Sequence, residues 1–127
     1  MPNSVLVVDD DVPSRVFLTQ TLRPLPVDVI EAVDGAEAIE LLEQNTPRIV
    51  FLDMYLPRVG GLDVLGYILD TPRLNNTIVV IVSAHEHVRF PSCQELDRAD
   101  EYLVKPVSLK VLRDLTQRAL SGQFMRG

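Results

Sequence analysis

The sequence lacks the features that mark secreted and membrane-spanning chains. Its single cysteine, Cys93, cannot form a disulfide within the chain, so nothing indicates an oxidising compartment. The longest apolar run, Ile78–Val82, is far shorter than the roughly 20 residues that cross a bilayer. The N-terminus has no secretory signal pattern, because three aspartates directly follow the first apolar run. We therefore expect a soluble, cytoplasmic protein without a membrane-inserted segment.

Basic residues are too few and too scattered to form a surface for nucleic acid. Lys and Arg number 12 against 18 Asp and Glu, which gives a formal charge of −6, and the basic residues form no run. Binding to a phosphate backbone depends on clustered Lys and Arg, so we expect no direct nucleic-acid binding. The 46% of apolar residues excludes bulk disorder. No repeat or Gly/Ser-rich linker divides the chain, which predicts one domain over residues 1–127 and no output domain.

Short apolar runs, each typical of a buried strand, recur along the chain. Helical spacing of apolar residues fills the intervals between them, and Asp11 and Ser108 are expected to cap the first and last helices. This alternation predicts a (βα)5 α/β fold with a parallel sheet covered by helices on both faces. The predicted strands are Ser4–Val8, Val27–Glu31, Ile49–Leu52, Thr77–Val82 and Glu101–Val104.

The first and last helices each have an apolar face that is expected to point into the core. The segment between the fourth and fifth strands, Glu86–Arg98, shows no comparable pattern. The inward residues are predicted to be Val16, Leu18, Thr19 and Leu22 in the first helix, and Val111, Leu112, Leu115 and Ala119 in the last.

Polar side chains follow four of the five strands, at the edge where parallel α/β sheets collect their chemistry. Asp9 and Asp10 follow the first strand, Asp53 the third, Ser83 the fourth and Lys105 the fifth. Three neighbouring carboxylates repel one another unless a cation such as Mg2+, which prefers oxygen ligands, neutralises them. Metal, ammonium and hydroxyl together would hold an anionic tetrahedral group. Asp53, central in the sheet, is the best candidate for a carboxylate nucleophile in phosphoryl transfer.

Three stretches, Val5–Asp10, Leu52–Gly61 and Asp100–Pro106, resemble response-regulator receiver domains. The resemblance extends from Val5 to about Leu120. The spacings of 30 residues from Asp53 to Ser83 and 52 from Asp53 to Lys105 are similar to those of the family. The fold expected of such a chain is a doubly wound, flavodoxin-like sheet of five strands in the order 2-1-3-4-5.

The resemblance implies a role for each residue of the site. Asp53 would accept a phosphoryl group from a histidine kinase or a histidine phosphotransfer protein. Mg2+ would be bound directly by Asp10 and Asp53, through water by Asp9, and by the backbone carbonyl of Tyr55. Lys105, placed by a cis peptide before Pro106, would bridge to the phosphoryl oxygens. Ser83 would move to hydrogen-bond the phosphoryl group while Tyr102 rotates inward.

The resemblance also implies an output surface, built from the helix before the fifth strand, the fifth strand and the last helix. This surface would control a downstream protein target, either as a monomer or as a phosphorylation-dependent dimer. The stretch Leu96–Asp100 lacks the small-residue pair, often with glycine, that the family commonly has there. Pro91 falls inside the preceding segment, where a helix would lose a backbone donor. We therefore predict that this helix is short, displaced or mobile and begins near Pro91.

Other interpretations remain open on the sequence alone. A Mg2+-dependent phosphohydrolase with an aspartyl-phosphate intermediate would usually carry a second carboxylate two residues after the nucleophile, where this chain has Tyr55. A degenerate receiver would bind partners without phosphorylation, but all five site residues are retained. His85 and His87 are interpreted as exposed loop residues. The chain is either a free-standing receiver, which its last residues favour, or a piece of a longer regulator.

Overall fold

The computed structural model describes residues 3–54, 56, 59–84 and 98–123. Five parallel strands form one sheet in the order β2-β1-β3-β4-β5, as predicted. The first, third and fifth strands have the predicted bounds, and the second and fourth begin and end one residue later than predicted. The strands are β1 (Ser4–Val8), β2 (Asp28–Ala32), β3 (Ile49–Leu52), β4 (Ile78–Ser83) and β5 (Glu101–Val104).

Four α-helices and one short 3-10 helix are present in the described residues. They are α1 (Val12–Leu22), α2 (Gly35–Gln44), α3 (Gly61–Leu69), the 3-10 helix Pro72–Leu74, and α4 (Leu109–Leu120). None of these helices is long and apolar enough to cross a membrane. The helix predicted near Pro91 lies outside the described residues.

Side chains satisfy the first free N–H groups of three helices, as expected for helix N-termini. The carboxylate of Asp11 accepts from the Ser14 N–H of α1 at 3.0 Å, and that of Asp34 accepts from the Glu37 N–H of α2 at 2.8 Å. Ser108 caps α4 in the same way. Both predicted caps, Asp11 and Ser108, are therefore confirmed.

The core consists of two layers, one on each face of the sheet. Residues of β1 alternate between them: Leu6 and Val8 pack with the apolar face of α2 and α3, and Val5 and Val7 pack with that of α1 and α4. Helices on both faces explain why the central strands are apolar without interruption. The register places the carboxyl ends of the strands at one edge, with Val8 opposite Leu52 and Ser83 opposite Val104.

Two residues predicted to point inward do not. Val16 is 43% exposed and Val111 is 39% exposed. In α1 the buried face is centred on Leu18 and Leu22, and Val16 lies about 160° around the helix from Leu18, at 100° per residue. In α4 the buried stripe starts at Leu112, one position later, so Val111 falls on its flank. The other six inward residues are buried: Leu18, Thr19, Leu22, Leu112, Leu115 and Ala119.

Candidate functional site

The strand ends bring the predicted polar residues to one edge of the sheet. The Asp9 N–H donates to the Ala32 carbonyl at 3.1 Å, and the Asp53 N–H donates to the Val8 carbonyl at 2.9 Å. The Lys105 N–H donates to the Ser83 carbonyl at 2.8 Å. These bonds continue the ladder one step past the strands, so the backbone itself fixes where the polar side chains start.

Three carboxylates meet at this edge. Asp9, Asp10 and Asp53 each offer one oxygen, and the three oxygens lie within 4.8 Å of one another. Asp9 is 1% exposed and Asp53 is 7% exposed, whereas Asp10 is open to solvent. Like charges this close repel one another unless cations offset them. A set of carboxylate oxygens open to water on one side fits a hard divalent ion such as Mg2+.

The side chain of Lys105 supplies one compensating charge. Its Nζ lies 2.9 Å from Asp9 Oδ2 and 3.4 Å from Asp53 Oδ2. Burial by itself would lower the pKa of Lys105, but the hydrogen bond to Asp9 and the charges of Asp53 and Asp9 outweigh it, so the pKa is raised above 10.5. The lysine is therefore a stable cation at this site. The peptide before Pro106 is cis, as predicted.

Asp9 is held by three further groups that the sequence analysis did not identify. The Asp11 N–H donates to Asp9 Oδ1 at 2.9 Å, and the Ser14 hydroxyl donates to Oδ2 at 2.7 Å. The Arg15 guanidinium donates to the Asp9 carbonyl at 2.9 Å and forms an ion pair with Glu31 at 3.3 Å. Part of the signal was available, because a helix starting after Asp11 places Ser14 and Arg15 in its first turn, beside the end of β1. The angle between β1 and α1, which decides the partners of these side chains, was not.

A close backbone approach positions the chain that leaves Asp53. The Gly61 N–H donates to the Met54 carbonyl at 3.2 Å. A Cβ added at Gly61 would lie 2.5 Å from the Asp53 carbonyl oxygen, closer than any side chain tolerates. Glycine at this position therefore lets α3 begin directly against the backbone of Asp53.

The family follows from the sequence of the whole domain. A family model of the response regulator receiver domain matches residues 5–117. This chain belongs to the response regulator receiver family.

Similar proteins include both a short chain and a longer response regulator. Protein PilG of Pseudomonas aeruginosa is 29% identical over 108 residues, which cover 85% of this chain and 80% of PilG. The response regulator MprA of a Mycobacterium species is 35% identical over 112 residues, covering 88% of this chain. This receiver domain spans only 48% of MprA, about half of its length.

Solved structures show the same fold. TrrA, a response regulator of Thermotoga maritima solved in complex with Mg2+-BeF, has a TM-score of 0.80 and 27% identity, over 92% of this chain and 98% of that one. The receiver domain of AraT from Geobacillus stearothermophilus has a TM-score of 0.78 and 27% identity, over 96% of this chain and 95% of that one.

The two predicted switch residues lie on neighbouring strands, β4 and β5. Ser83 is the last residue of β4 and is fully buried, beside the Lys105 backbone. Tyr102 lies on β5 opposite Ile81 and is half-buried against the core layer of α2 and α3. Two other predictions fall on residues outside the described ones: the carbonyl of Tyr55, and the loop histidines His85 and His87.

Proposed function

We propose that this receiver domain is a phosphoacceptor switch of a two-component or phosphorelay system, with Asp53 as the phosphoacceptor. The observation that carries the proposal is the position of the Lys105 ammonium, 2.9 Å from Asp9 and 3.4 Å from Asp53 beside a cluster of three carboxylates. Phosphoryl transfer needs positioning and charge neutralisation more than covalent chemistry from the protein, and this arrangement supplies both.

The geometry favours Asp53 over its two neighbours as the acceptor. Both oxygens of Asp9 already accept hydrogen bonds, and its side chain is only 1% exposed, so a phosphoryl donor has little access to it. Asp10 is exposed and forms no ion pair with Lys105 in the described structure. The Asp53 side chain is 10% exposed and lies beside the lysine, at the end of the central strand β3.

The donor set fits Mg2+, which we propose as the cofactor. Asp10 and Asp53 would hold it directly, Asp9 through water, and the Tyr55 carbonyl would complete the protein ligands. When bound, the ion neutralises negative charge on the carboxylates and on the phosphoryl oxygens. The residues of the chain would supply the other parts of the reaction. A carboxylate oxygen of Asp53 would attack phosphorus while the P–N bond to the donor histidine breaks and its imidazole leaves, and Lys105 would bind the phosphoryl oxygens.

Signalling would follow from the charge added at the sheet edge. A phosphoryl group carries about −1.5 to −2 charges at neutral pH, enough to bias a two-state surface. Ser83 would approach the phosphoryl group and Tyr102 would turn inward, altering the surface that a downstream protein binds. The phosphodonor would be a histidine kinase or a histidine phosphotransfer protein in the cytoplasm. The chemistry of the domain is then self-phosphorylation and slow self-dephosphorylation, with no metabolite turned over and no direct contact to nucleic acid.

Intact-mass spectrometry with acetyl phosphate and Mg2+ tests this proposal. We expect the mass of one phosphoryl group to be gained by the wild type, and to be absent after Asp53→Asn or in EDTA. Asp70→Asn, an exposed aspartate at the end of α3, is the matched control and should be phosphorylated like the wild type. No gain under any condition would favour a degenerate receiver, and rapid multiple turnover of the phosphodonor would favour a phosphohydrolase.

A further inference from the structure

Ser14 connects the first turn of α1 to the most buried carboxylate of the site. Its N–H donates to the cap residue Asp11 at 3.0 Å, which fixes the backbone of the residue. Its hydroxyl donates to Asp9 Oδ2 at 2.7 Å. The short distance is typical of an O–H donor on an ionised carboxylate.

The same oxygen also accepts from Lys105. In the described part of the chain, Asp9 Oδ2 has two donors, the Ser14 hydroxyl at 2.7 Å and the Lys105 ammonium at 2.9 Å. The two donors differ in mobility. Ser14 is fixed by the helix and its cap, whereas the ammonium of Lys105 sits on a flexible stem and also reaches Asp53 at 3.4 Å.

A phosphoryl group on Asp53 gives Lys105 a more negative partner, so the lysine is drawn away from Asp9. Asp9 is 1% exposed, and water from the bulk cannot freely replace the lost donor. A buried acceptor left without a donor is costly. We infer that Ser14 is a positioning residue that keeps Asp9 Oδ2 hydrogen-bonded when Lys105 turns from Asp9 to the phosphoryl group. This inference rests on the proposed function.

The inference predicts that Ser14→Ala weakens binding of a phosphoryl mimic but hardly changes binding of Mg2+. Mg2+ alone gives Lys105 no new anionic partner, so we expect the lysine to stay on Asp9 and Ser14→Ala to change the Mg2+ affinity by less than about two-fold. Binding of beryllium trifluoride, the phosphoryl mimic present in the TrrA complex, draws the lysine away. Its affinity should therefore fall on the order of ten-fold in Ser14→Ala, because Oδ2 then has no donor among the residues that the structure describes. Calorimetry measures the first affinity and amide NMR shifts in saturating Mg2+ measure the second.

Three further variants make the test specific. Ser14→Thr retains a hydroxyl and should restore mimic binding to within about two-fold of the wild type. Ser121→Ala removes a hydroxyl that donates to the Arg118 carbonyl at the far end of α4, and should affect neither affinity. In a Lys105→Met background no lysine contacts Asp9 before or after the mimic binds, so adding Ser14→Ala should not lower the residual mimic affinity of that variant any further. Should Ser14→Ala not fold, Ser14→Cys, a weaker donor of similar size, carries the same test.

The outcomes separate this inference from the proposed function. Equal loss of both affinities in Ser14→Ala would show a merely structural role, and an unchanged mimic affinity would show that Asp9 needs no second donor; either result overturns the inference. Both results leave the proposed function standing as long as the wild type binds the mimic in Mg2+. Failure of the wild type to bind the mimic would overturn the proposed function and the inference together.

Discussion

Replacing Lys105 by Met tests the electrostatic account of the site through stability alone. The substitution keeps most of the side-chain volume and removes the one cation found within 4 Å of the carboxylates in the described structure. Asp9 then keeps its hydrogen bonds from Asp11 and Ser14 but loses its charge partner. Three carboxylates with oxygens within 4.8 Å of one another then lose the ammonium that contacts two of them.

The size of the effect follows from burial. Removing one partner of a fully buried ion pair costs about 3–5 kcal/mol, because the other charge stays buried. The Lys105 side chain is 22% exposed, so solvent screens part of the interaction. We expect Lys105→Met to lower the free energy of unfolding by about 2–3 kcal/mol, which for a domain of this size lowers the midpoint of thermal unfolding by roughly 10 °C.

Urea denaturation in EDTA, followed by circular dichroism, measures this loss. The chain has one other lysine, Lys110, which is exposed in the first turn of α4, so Lys110→Met is the matched control and should shift stability by less than about 0.5 kcal/mol. Mg2+ should stabilise Lys105→Met more than the wild type, because the ion replaces the missing positive charge.

The stabilisation that Lys105 provides should decrease at high pH. The pKa of Lys105 is raised above 10.5 in the folded state, so the folded protein holds this proton at a pH where the unfolded chain has lost it. The contribution of the Lys105 proton to this stability difference should therefore be fully present at neutral pH and shrink as the pH rises through the raised folded pKa. Equal stability of Lys105→Met and Lys110→Met, or a difference that grows above pH 10.5, would refute the account.

Two further predictions concern the carboxylate cluster and the turn after Asp53. Asp10→Asn should raise the free energy of unfolding in EDTA by about 1 kcal/mol, because an exposed carboxylate close to two others repels both, and it should weaken stabilisation by Mg2+. Urea titrations with and without Mg2+ measure both effects, and a destabilised Asp10→Asn in EDTA would contradict the repulsion. Gly61→Ala should lower the free energy of unfolding by at least about 2 kcal/mol, since its Cβ would lie 2.5 Å from the Asp53 carbonyl oxygen. Gly66→Ala in α3 should raise it by about 0.5–1 kcal/mol, because the added Cβ would meet no described atom within 4 Å outside its own helix backbone and chain neighbours. The same denaturation assay compares them, and a shift of both in one direction would reject the close approach at Gly61.

The strands were predictable because burial on both faces leaves a strong signal, whereas their order was predicted from the resemblance to receiver domains. Ile49–Leu52 is buried at every position, and so is Ile78–Ser83, so these segments read as continuous apolar runs. The carboxyl ends of parallel strands share one edge, which is why residues as distant as Asp9 and Lys105 could be predicted to meet. The parallel arrangement of the strands is thus enough to predict that these side chains meet.

The exact buried face of each helix, and the side chains that contact Asp9, were less predictable from the sequence. Val16 and Val111 are apolar, but each lies on the flank or far side of a helix whose buried stripe is set by packing against the sheet. Ser14 and Arg15 were missed because their partners are an oxygen and a carbonyl of Asp9, and such bonds depend on the angle at which α1 leaves β1. The composition of the sequence does not encode that angle.

The residues that the sequence did not reveal support the proposed choice of Asp53 as the reacting carboxylate. The sequence places Asp9, Asp10 and Asp53 together and favours Asp53 only through its position in the central strand. The structure separates them, because Asp9 is tied by donors from α1 and by the lysine, and Asp10 stays in solvent. A carboxylate whose oxygens are held by fixed donors is a poor nucleophile, which argues against Asp9. Because donors from α1 also hold Asp9, Lys105 can turn from Asp9 to Asp53 in the proposed reaction. The groups that hold Asp9 are thus as necessary to the proposed chemistry as Asp53, the proposed acceptor.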